Sequence, residues 1–429
     1  MIDLWRDNND VKLLINGEEF FPRMCECIAE AKTEILIETF ILAEDKVGYQ
    51  VRDALVAAAK RGVRVDITVD DYGTFDLSKE FVDKLINAGV KLHIFDPQPN
   101  FRGIRFNFFR RLHRKLVVID NNVAFIGGIN LSADHLSDFG PKAKQDYTVE
   151  LHGPIVADIH KTCIDLLLRA STKEDALIYR NYPKQPAPQS SGKVQTLLSI
   201  RDNQKHKNDI QRQYLLAIRL AKHRIVIANA YFFPSYRILR ELRRAARRGV
   251  EVTLILQGQP DMPWVSMLSG LLYSYLMRAG VKIHEYCKRP LHGKVALMDE
   301  EWATVGSSNL DPLSLSLNLE ANVIIHDTSF NQQLYDHFQE LTQSSCKPVN
   351  IKVATKGYWW RTPLIFLSFH FLRGFPGMLG WLPAHSPELK LVSSKKRSFN
   401  EHSFNVKNAH INEEHGDNIK VLRDRENRA

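Results

Sequence analysis

The chain has 429 residues, about twice the length of one ordinary domain, so two domains are expected. With 44% hydrophobic and 25% charged residues, it has the composition of a globular protein with a sizeable core rather than that of a fibrous or wholly disordered chain. A net charge of +9 and a pI near 9.1 favour an anionic partner, either nucleic acid or an acidic membrane surface, without choosing between them.

The N-terminal stretch MIDLWRDNND is polar and acidic, so it reads as neither a signal peptide nor a membrane anchor. No uninterrupted apolar run reaches the roughly 18–20 residues that span a bilayer. Cys25 and Cys27 form an isolated C-x-C and read as ordinary helix residues. Together with Cys163, Cys287 and Cys346 they are scattered and odd in number, which argues against a disulfide framework and for a reducing compartment.

Beyond the N-terminus the chain is organised by an internal repeat. Ile35 to Phe40 reads as a strand and is matched by Ile225 to Ala230. Ala54 to Val69, ALVAAAKRGVRVDITV, reads as a helix ended by Arg-Gly and then a strand; its counterpart is ELRRAARRGVEVTLIL, Glu241 to Leu256. Gly62 and Gly249 are the expected helix stops. Ala88 to His93 matches Ala279 to His284, and the offset stays between 187 and 191 residues through the three pairs. Strands alternating with helices imply βαβ units around a mostly parallel or mixed sheet, in two copies.

The first copy carries an insertion, NFRGIRFNFFRR from Asn100 to Arg111, with almost nothing to match it between Tyr286 and His292. Its alternating Phe and Arg read as a cationic, apolar lip for anionic lipid in preference to a half-buried strand. The basic run Arg240 to Arg248 reads as a solvated helix face.

Each copy then reaches one motif, placed just before and within a strand. The first is His113-Arg114-Lys115, four residues, Asp120, six residues, then Gly127-Gly128-Ile129-Asn130. The second is His292-Gly293-Lys294, four residues, Asp299, six residues, then Gly306-Ser307-Ser308-Asn309. Residues two apart on a strand share a face, so each histidine and its lysine point together. Displacement at a phosphodiester needs a nucleophile, charge neutralisation and a proton for the leaving alkoxide. One neutral imidazole can attack phosphorus, and a second, protonated, can deliver the proton. Two lysines can neutralise the non-bridging oxygens as a metal does elsewhere, and no metal or other cofactor is expected. A lone H-x-K occurs often by chance; two full copies at matching places in a repeat do not.

Both copies fit H-x-K-x4-D-x6-G-[GS]-x-N, and this double pattern resembles the phospholipase D superfamily. The resemblance implies an α/β fold of two phospholipase D-like domains, mixed sheets flanked by helices, related by a pseudo-twofold axis with the active site in the cleft between them. It implies His113 as nucleophile, His292 as general acid/base, and Lys115, Lys294, Asn130, Asn309 and Ser307 as phosphate-binding groups. Asp120 and Asp299 complete the catalytic motifs, in structural support more than in chemistry. An acidic residue beyond each motif is expected to orient a histidine through its far nitrogen: Glu320, in NLEANVIIH, and Asp146, in KQDYTVEL. Gly128 stands where the second copy has Ser307, which removes a hydroxyl contact from one half and leaves the backbone N–H to replace it.

The segments AFIGGIN, GPKAKQDY, ANAYFFP, LHGKVALMD, WATVGSSNLDPLSLSLNLEANVIIHD and FHFLRGFPGMLGWLPAH resemble the bacterial cardiolipin synthases, in their short B-type form without N-terminal membrane helices. That similarity runs to about Leu391. It implies transfer of a phosphatidyl group from one phosphatidylglycerol to another, with phosphatidylglycerol and other anionic phospholipids as partners and no nucleic acid. It also implies a peripheral position on the cytoplasmic side of a bacterial inner membrane. Hydrolysis with water as acceptor, a nuclease and a catalytically dead lipid-binding scaffold are the alternatives. The expected layout is a first domain over 1–180, a linker over 181–193 and a second domain over 194–350. An apolar membrane-associating segment follows over 351–390, in which Trp359 to Leu382 is the anchor, and then a polar tail over 391–429.

Overall fold

A computed structural model describes residues 5–74, 76–97, 110–169, 179, 188–190, 192–258, 272–350, 367 and 388–392. Most of the insertion and linker, the apolar segment apart from Leu367 and 388–390, and the tail after 392 lie outside the described residues. Among the described residues no helix is long and apolar enough to cross a membrane.

The first half runs β1 (Arg6–Ile15), α1 (Asn16–Glu30), β2 (Glu34–Thr39), α2 (Lys46–Lys60), β3 (Arg64–Asp70), α3 (Lys79–Asn87), β4 (Lys91–Phe95), β5 (Leu116–Ile119), β6 (Val123–Gly127), two 3-10 turns (Ala133–His135 and Ser137–Phe139), β7 (Tyr147–His152) and α4 (Ile155–Leu167). The second runs β8 (Val194–Arg201), α5 (Asp209–Leu220), β9 (Arg224–Asn229), α6 (Tyr236–Arg247), β10 (Glu251–Gln257), β11 (Lys282–Tyr286), β12 (Lys294–Met298), β13 (Trp302–Gly306), α7 (Pro312–Ser316), β14 (Glu320–His326), α8 (Thr328–Ser344), β15 (Cys346–Pro348) and β16 (Leu389–Leu391). The repeat read from the sequence is present. β2 and β9 are the first matched strands, and α2 and α6 each end two residues before a glycine in the left-handed region, Gly62 at φ 89° and Gly249 at φ 93°. A residue with a Cβ is strained there, which is why the chain turns out of the helix at that point. Cys25 and Cys27 both lie on α1, and none of the five cysteines is in a disulfide.

The strands form one mixed sheet in the order β15-β11-β10-β9-β12-β13-β14-β8-β1-β7-β6-β5-β2-β3-β4-β16. Read outward from the middle, β8 matches β1, β14 matches β7, and so on to the edges, which is the pseudo-twofold relation. The halves are joined where β1 pairs antiparallel with β8, with an irregularity between Arg6 and Asn9. Each half would otherwise leave an unpaired edge there. β16 returns from beyond the second half to pair with β4 of the first, so it spans the boundary expected at 390. Helices α1, α2 and α3 cover one face of the first half, and α5 and α6 one face of the second, each over its own apolar cluster. The remaining faces meet, β6 and β7 against β13 and β14, in a third cluster shared by both halves and by α4 and α8. The two motifs lie at that shared core.

Candidate active site

The motifs occupy equivalent places. His113 and Lys115 precede β5; His292 precedes β12, which Lys294 begins. The intervening residue points away in each copy. Arg114 enters a buried ion pair with Glu38 (2.8 Å), and Gly293 faces the Tyr147 ring, which a Cβ would meet at 2.6 Å. Each lysine folds back so that Nζ donates to the carbonyl of its own histidine, Lys115 to His113 at 2.9 Å and Lys294 to His292.

The halves exchange partners at this point. His113 Nδ1 lies 3.0 Å from Glu320 Oε2, and His292 Nδ1 lies 2.5 Å from Asp146 Oδ2. Each histidine is therefore held by the carboxylate of the other half. The backbone enforces the exchange: the His113 N–H donates to the Leu319 carbonyl (2.9 Å), and the His292 N–H to the Gln145 carbonyl (2.8 Å). Those two acceptors immediately precede Glu320 and Asp146. With Nδ1 engaged as donor, Nε2 of each ring is left for the substrate.

Both carboxylates are fully buried. Burial opposes charge on Glu320, but His113 and Lys115 hold its carboxyl below the usual range. Burial raises Asp146, against the pull of Lys294 and His135. Burial brings the lysines down to about 7 for Lys115 and about 8 for Lys294, although Glu320 and Asp146 favour their charge. Burial also lowers both histidines, and Lys294 and Lys144 press His292 down further. The short bond to Asp146 acts in the opposite sense on His292. A bound phosphodiester would neutralise the lysines and relieve the same pressure.

Asn130 and Asn309 follow β6 and β13, almost fully buried, and their Oδ1 atoms meet no partner among the described residues. The other expected site residues have different surroundings. Asp120 and Asp299 sit at the far ends of β5 and β12 from the histidines. Asp120 accepts from the N–H groups of Lys32, Thr33 and Glu34; Asp299 accepts from those of Lys222, His223 and Arg224. Each fixes the turn that leads into β2 or β9. Ser307 does not present its hydroxyl for phosphate: it donates to Glu320 Oε2 at 2.5 Å. Nor is the Gly128 N–H available, because it donates to the Tyr147 carbonyl (2.9 Å). Gly128 is small for another reason, since a Cβ there would lie 2.3 Å from Asp146 Oδ1.

Sequence reasoning alone does not reach three further groups. The Leu112 N–H donates to Asp70 (2.8 Å), and the Leu291 N–H to Gln257 (2.9 Å), so each residue before a motif histidine is pinned by the last residue of β3 or β10. Aligning the repeat at its 187-residue offset pairs Asp70 with Gln257 and is the signal that could find them. The third is His135, fully buried against His292, with ring centroids 5.5 Å apart. His135, Asp146 and His292 bring three ligand-type atoms within 4.8 Å of one another, a group that no sequence spacing marks. Lys294, Lys144 and Lys115 act on these same residues and would oppose a cation there to the extent that they are protonated, Lys144 being paired with Asp134.

Similarity to known proteins agrees with this geometry. The family described as "Cardiolipin synthase, PLD-like domain" matches residues 24–162 and 214–342. "Cardiolipin synthase B" of Salmonella typhimurium is 52% identical over 388 residues, covering 90% of this chain and 94% of that protein. "Cardiolipin synthase 2" of Bacillus anthracis is 32% identical, covering 78% of this chain and 65% of that protein. The crystal structure of phosphatidylserine synthase from Haemophilus influenzae shares the fold, with a TM-score of 0.63 at 15% identity over 86% of this chain and 94% of that one. With two matched domains and two complete motifs facing each other across a pseudo-twofold axis, this chain belongs to the phospholipase D-like cardiolipin synthase family.

Proposed function

We propose that this phosphatidyltransferase makes cardiolipin from two molecules of phosphatidylglycerol by way of a phosphohistidine. The observation that carries the reading is the exchange of carboxylates: Glu320 on His113 and Asp146 on His292 leave two Nε2 atoms for one phosphodiester. His113 Nε2 attacks phosphorus and forms the N–P bond while the P–O bond to glycerol breaks. His292, protonated at Nε2, gives its proton to the leaving alkoxide, so free glycerol departs. A hydroxyl of the second phosphatidylglycerol then loses its proton to His292 and attacks the phosphohistidine, giving cardiolipin and restoring both rings. Lys115 and Lys294 bear the charge of the non-bridging oxygens, and Asn130 and Asn309 add their amides.

As a peripheral protein of the cytoplasmic membrane face, it would meet its lipid through the basic aromatic stretch at 100–111 and the apolar stretch at 359–382. Vesicles of phosphatidylglycerol, analysed by mass spectrometry after incubation, should yield cardiolipin and glycerol. Phosphatidic acid alone would make the enzyme a hydrolase, and unchanged lipid would overturn the reading. His113→Ala should take up no phosphatidyl label, whereas His292→Ala should retain label from a substrate with a good leaving group; the reverse pattern would exchange the two roles.

A further inference from the structure

The two halves place the same motif groups at equivalent positions, and one of the buried differences between them lies beside His292. Five residues after Asn130 stands His135; five after Asn309 stands Ser314, whose hydroxyl donates to Asp311 within its own turn (3.1 Å). His135 Nε2 accepts the Asn130 N–H (3.2 Å), which leaves the ring proton on Nδ1. That Nδ1 faces Asp146 Oδ2 at 3.8 Å and has no hydrogen-bond partner among the described residues. Asp146 Oδ2 thus lies between two imidazoles, bonded to His292 and approached by His135.

Asp146 Oδ1 accepts the Tyr147 N–H (2.9 Å), but its Oδ2, the oxygen that holds His292, has no second donor of the kind Ser307 gives Glu320 Oε2. In the second half Ser307 donates a hydroxyl to Glu320, but a serine at position 128 would collide with Asp146. We propose that His135 is a positioning residue that does for Asp146 what Ser307 does for Glu320: its Nδ1–H dipole keeps the carboxylate ionised and aimed at His292. Burial holds His135 at about 4, despite Asp146 and Asp134, so it acts as a neutral dipole and adds no charge. The charged groups acting on this cluster are Asp134, Lys144, Lys115 and Lys294, and none of them replaces a donor at that face of Asp146.

The inference rests on His292 serving as the acid. His135→Gln can keep the Asn130 contact through its amide oxygen while removing the Nδ1 donor; His135→Asn places an amide nitrogen near the Nδ1 position. Turnover of phosphatidylglycerol vesicles by the full chain is followed against pH, with wild type alongside. His135→Gln should lose about tenfold or more in kcat with little change in KM, since misaligning a catalytic group costs rate more than binding. The alkaline limb of its kcat, read apart from the decline in kcat/KM that the lysines give, should move to lower pH, because a less anionic Asp146 weakens the hold of His292 on its proton. His135→Asn should keep the wild-type profile. A wild-type profile in His135→Gln, or equal losses in both variants with no shift of the limb, would overturn the role. Absence of turnover in wild type would instead count against the proposed reaction.

Discussion

Gly128→Ser gives the first motif the residue that the second already has, yet it should disable the enzyme. A Cβ at this position would stand 2.3 Å from Asp146 Oδ1, 2.8 Å from Oδ2 and 2.9 Å from Cγ. The carboxylate must retreat by at least about 0.7 Å, the gap between 2.3 Å and the 3.0 Å below which real Cβ contacts are essentially never found. Asp146 has little freedom to do so. Its own N–H is held by Asn16, its Oδ1 accepts the Tyr147 N–H, and its Oδ2 is 2.5 Å from His292. The bond to His292 is therefore what lengthens, and a catalytic group displaced by about 1 Å loses roughly 100-fold in rate. We expect kcat for cardiolipin formation to fall by tens-fold to about 100-fold with KM nearly unchanged, and overpacking of this buried site to lower the unfolding free energy by about 1–3 kcal/mol. The reciprocal change, Ser307→Gly, should cost less, since it removes one donor from Glu320 without moving it. Wild-type kcat in Gly128→Ser would refute the placement of Asp146 behind His292.

Asp120→Ala and Asp299→Ala should each lower stability in urea by about 1–2 kcal/mol, the range for losing a carboxylate that caps several backbone N–H groups, and leave kcat within a few-fold; complete loss of activity in a folded variant would assign them to the chemistry. Because depressed lysines are charged only below their values, kcat/KM for the anionic lipid should decline as pH rises through about 7 for Lys115 and about 8 for Lys294, and a flat profile to about pH 9.5 would contradict that. Turnover should survive chelation by EDTA, since the lysines already neutralise the phosphate; full loss restored by a divalent ion would refute this.

The parts of the fold that are legible in the sequence are those that local chemistry dictates. Gly62 and Gly249 stop their helices because the backbone there is left-handed, and the β-branched runs after them form β3 and β10. The H-x-K spacing is equally local, since Arg114 and Gly293 point away from their neighbours. What is not legible depends on contacts far apart in the chain. That Glu320 serves His113 and Asp146 serves His292 follows from the bridges Leu112 to Leu319 and Gln145 to Leu291, which no local pattern encodes. β1 escapes a reading by pattern because RDNNDVKLLI is polar over its first half, where its pairing passes from β8 to β7. β16 is three residues long and owes its conformation to β4. Ser307 reads as a phosphate ligand because the motif places it beside Asn309, but its hydroxyl points to Glu320.

In the proposed reaction two chemically identical imidazoles do different work, and a duplicated fold supplies them in matching surroundings. The motif groups themselves are the same in both halves: histidine, lysine, asparagine. The differences stand one layer behind them. His113 has Glu320 backed by Ser307, and His292 has Asp146 backed by Gly128 and faced by His135. The N–H before His113 is held by Asp70, which burial raises to about 6, while the N–H before His292 is held by the uncharged Gln257. The groups in that layer touch the Nδ1 side of each ring or the backbone before it, where they bear on how tightly the ring holds its proton. Exchange of the carboxylates adds a constraint: a half alone has its histidine but not the group that orients it. The continuous sheet through β1 and β8, and the return of β16 to β4, keep the two halves together so that each completes the other.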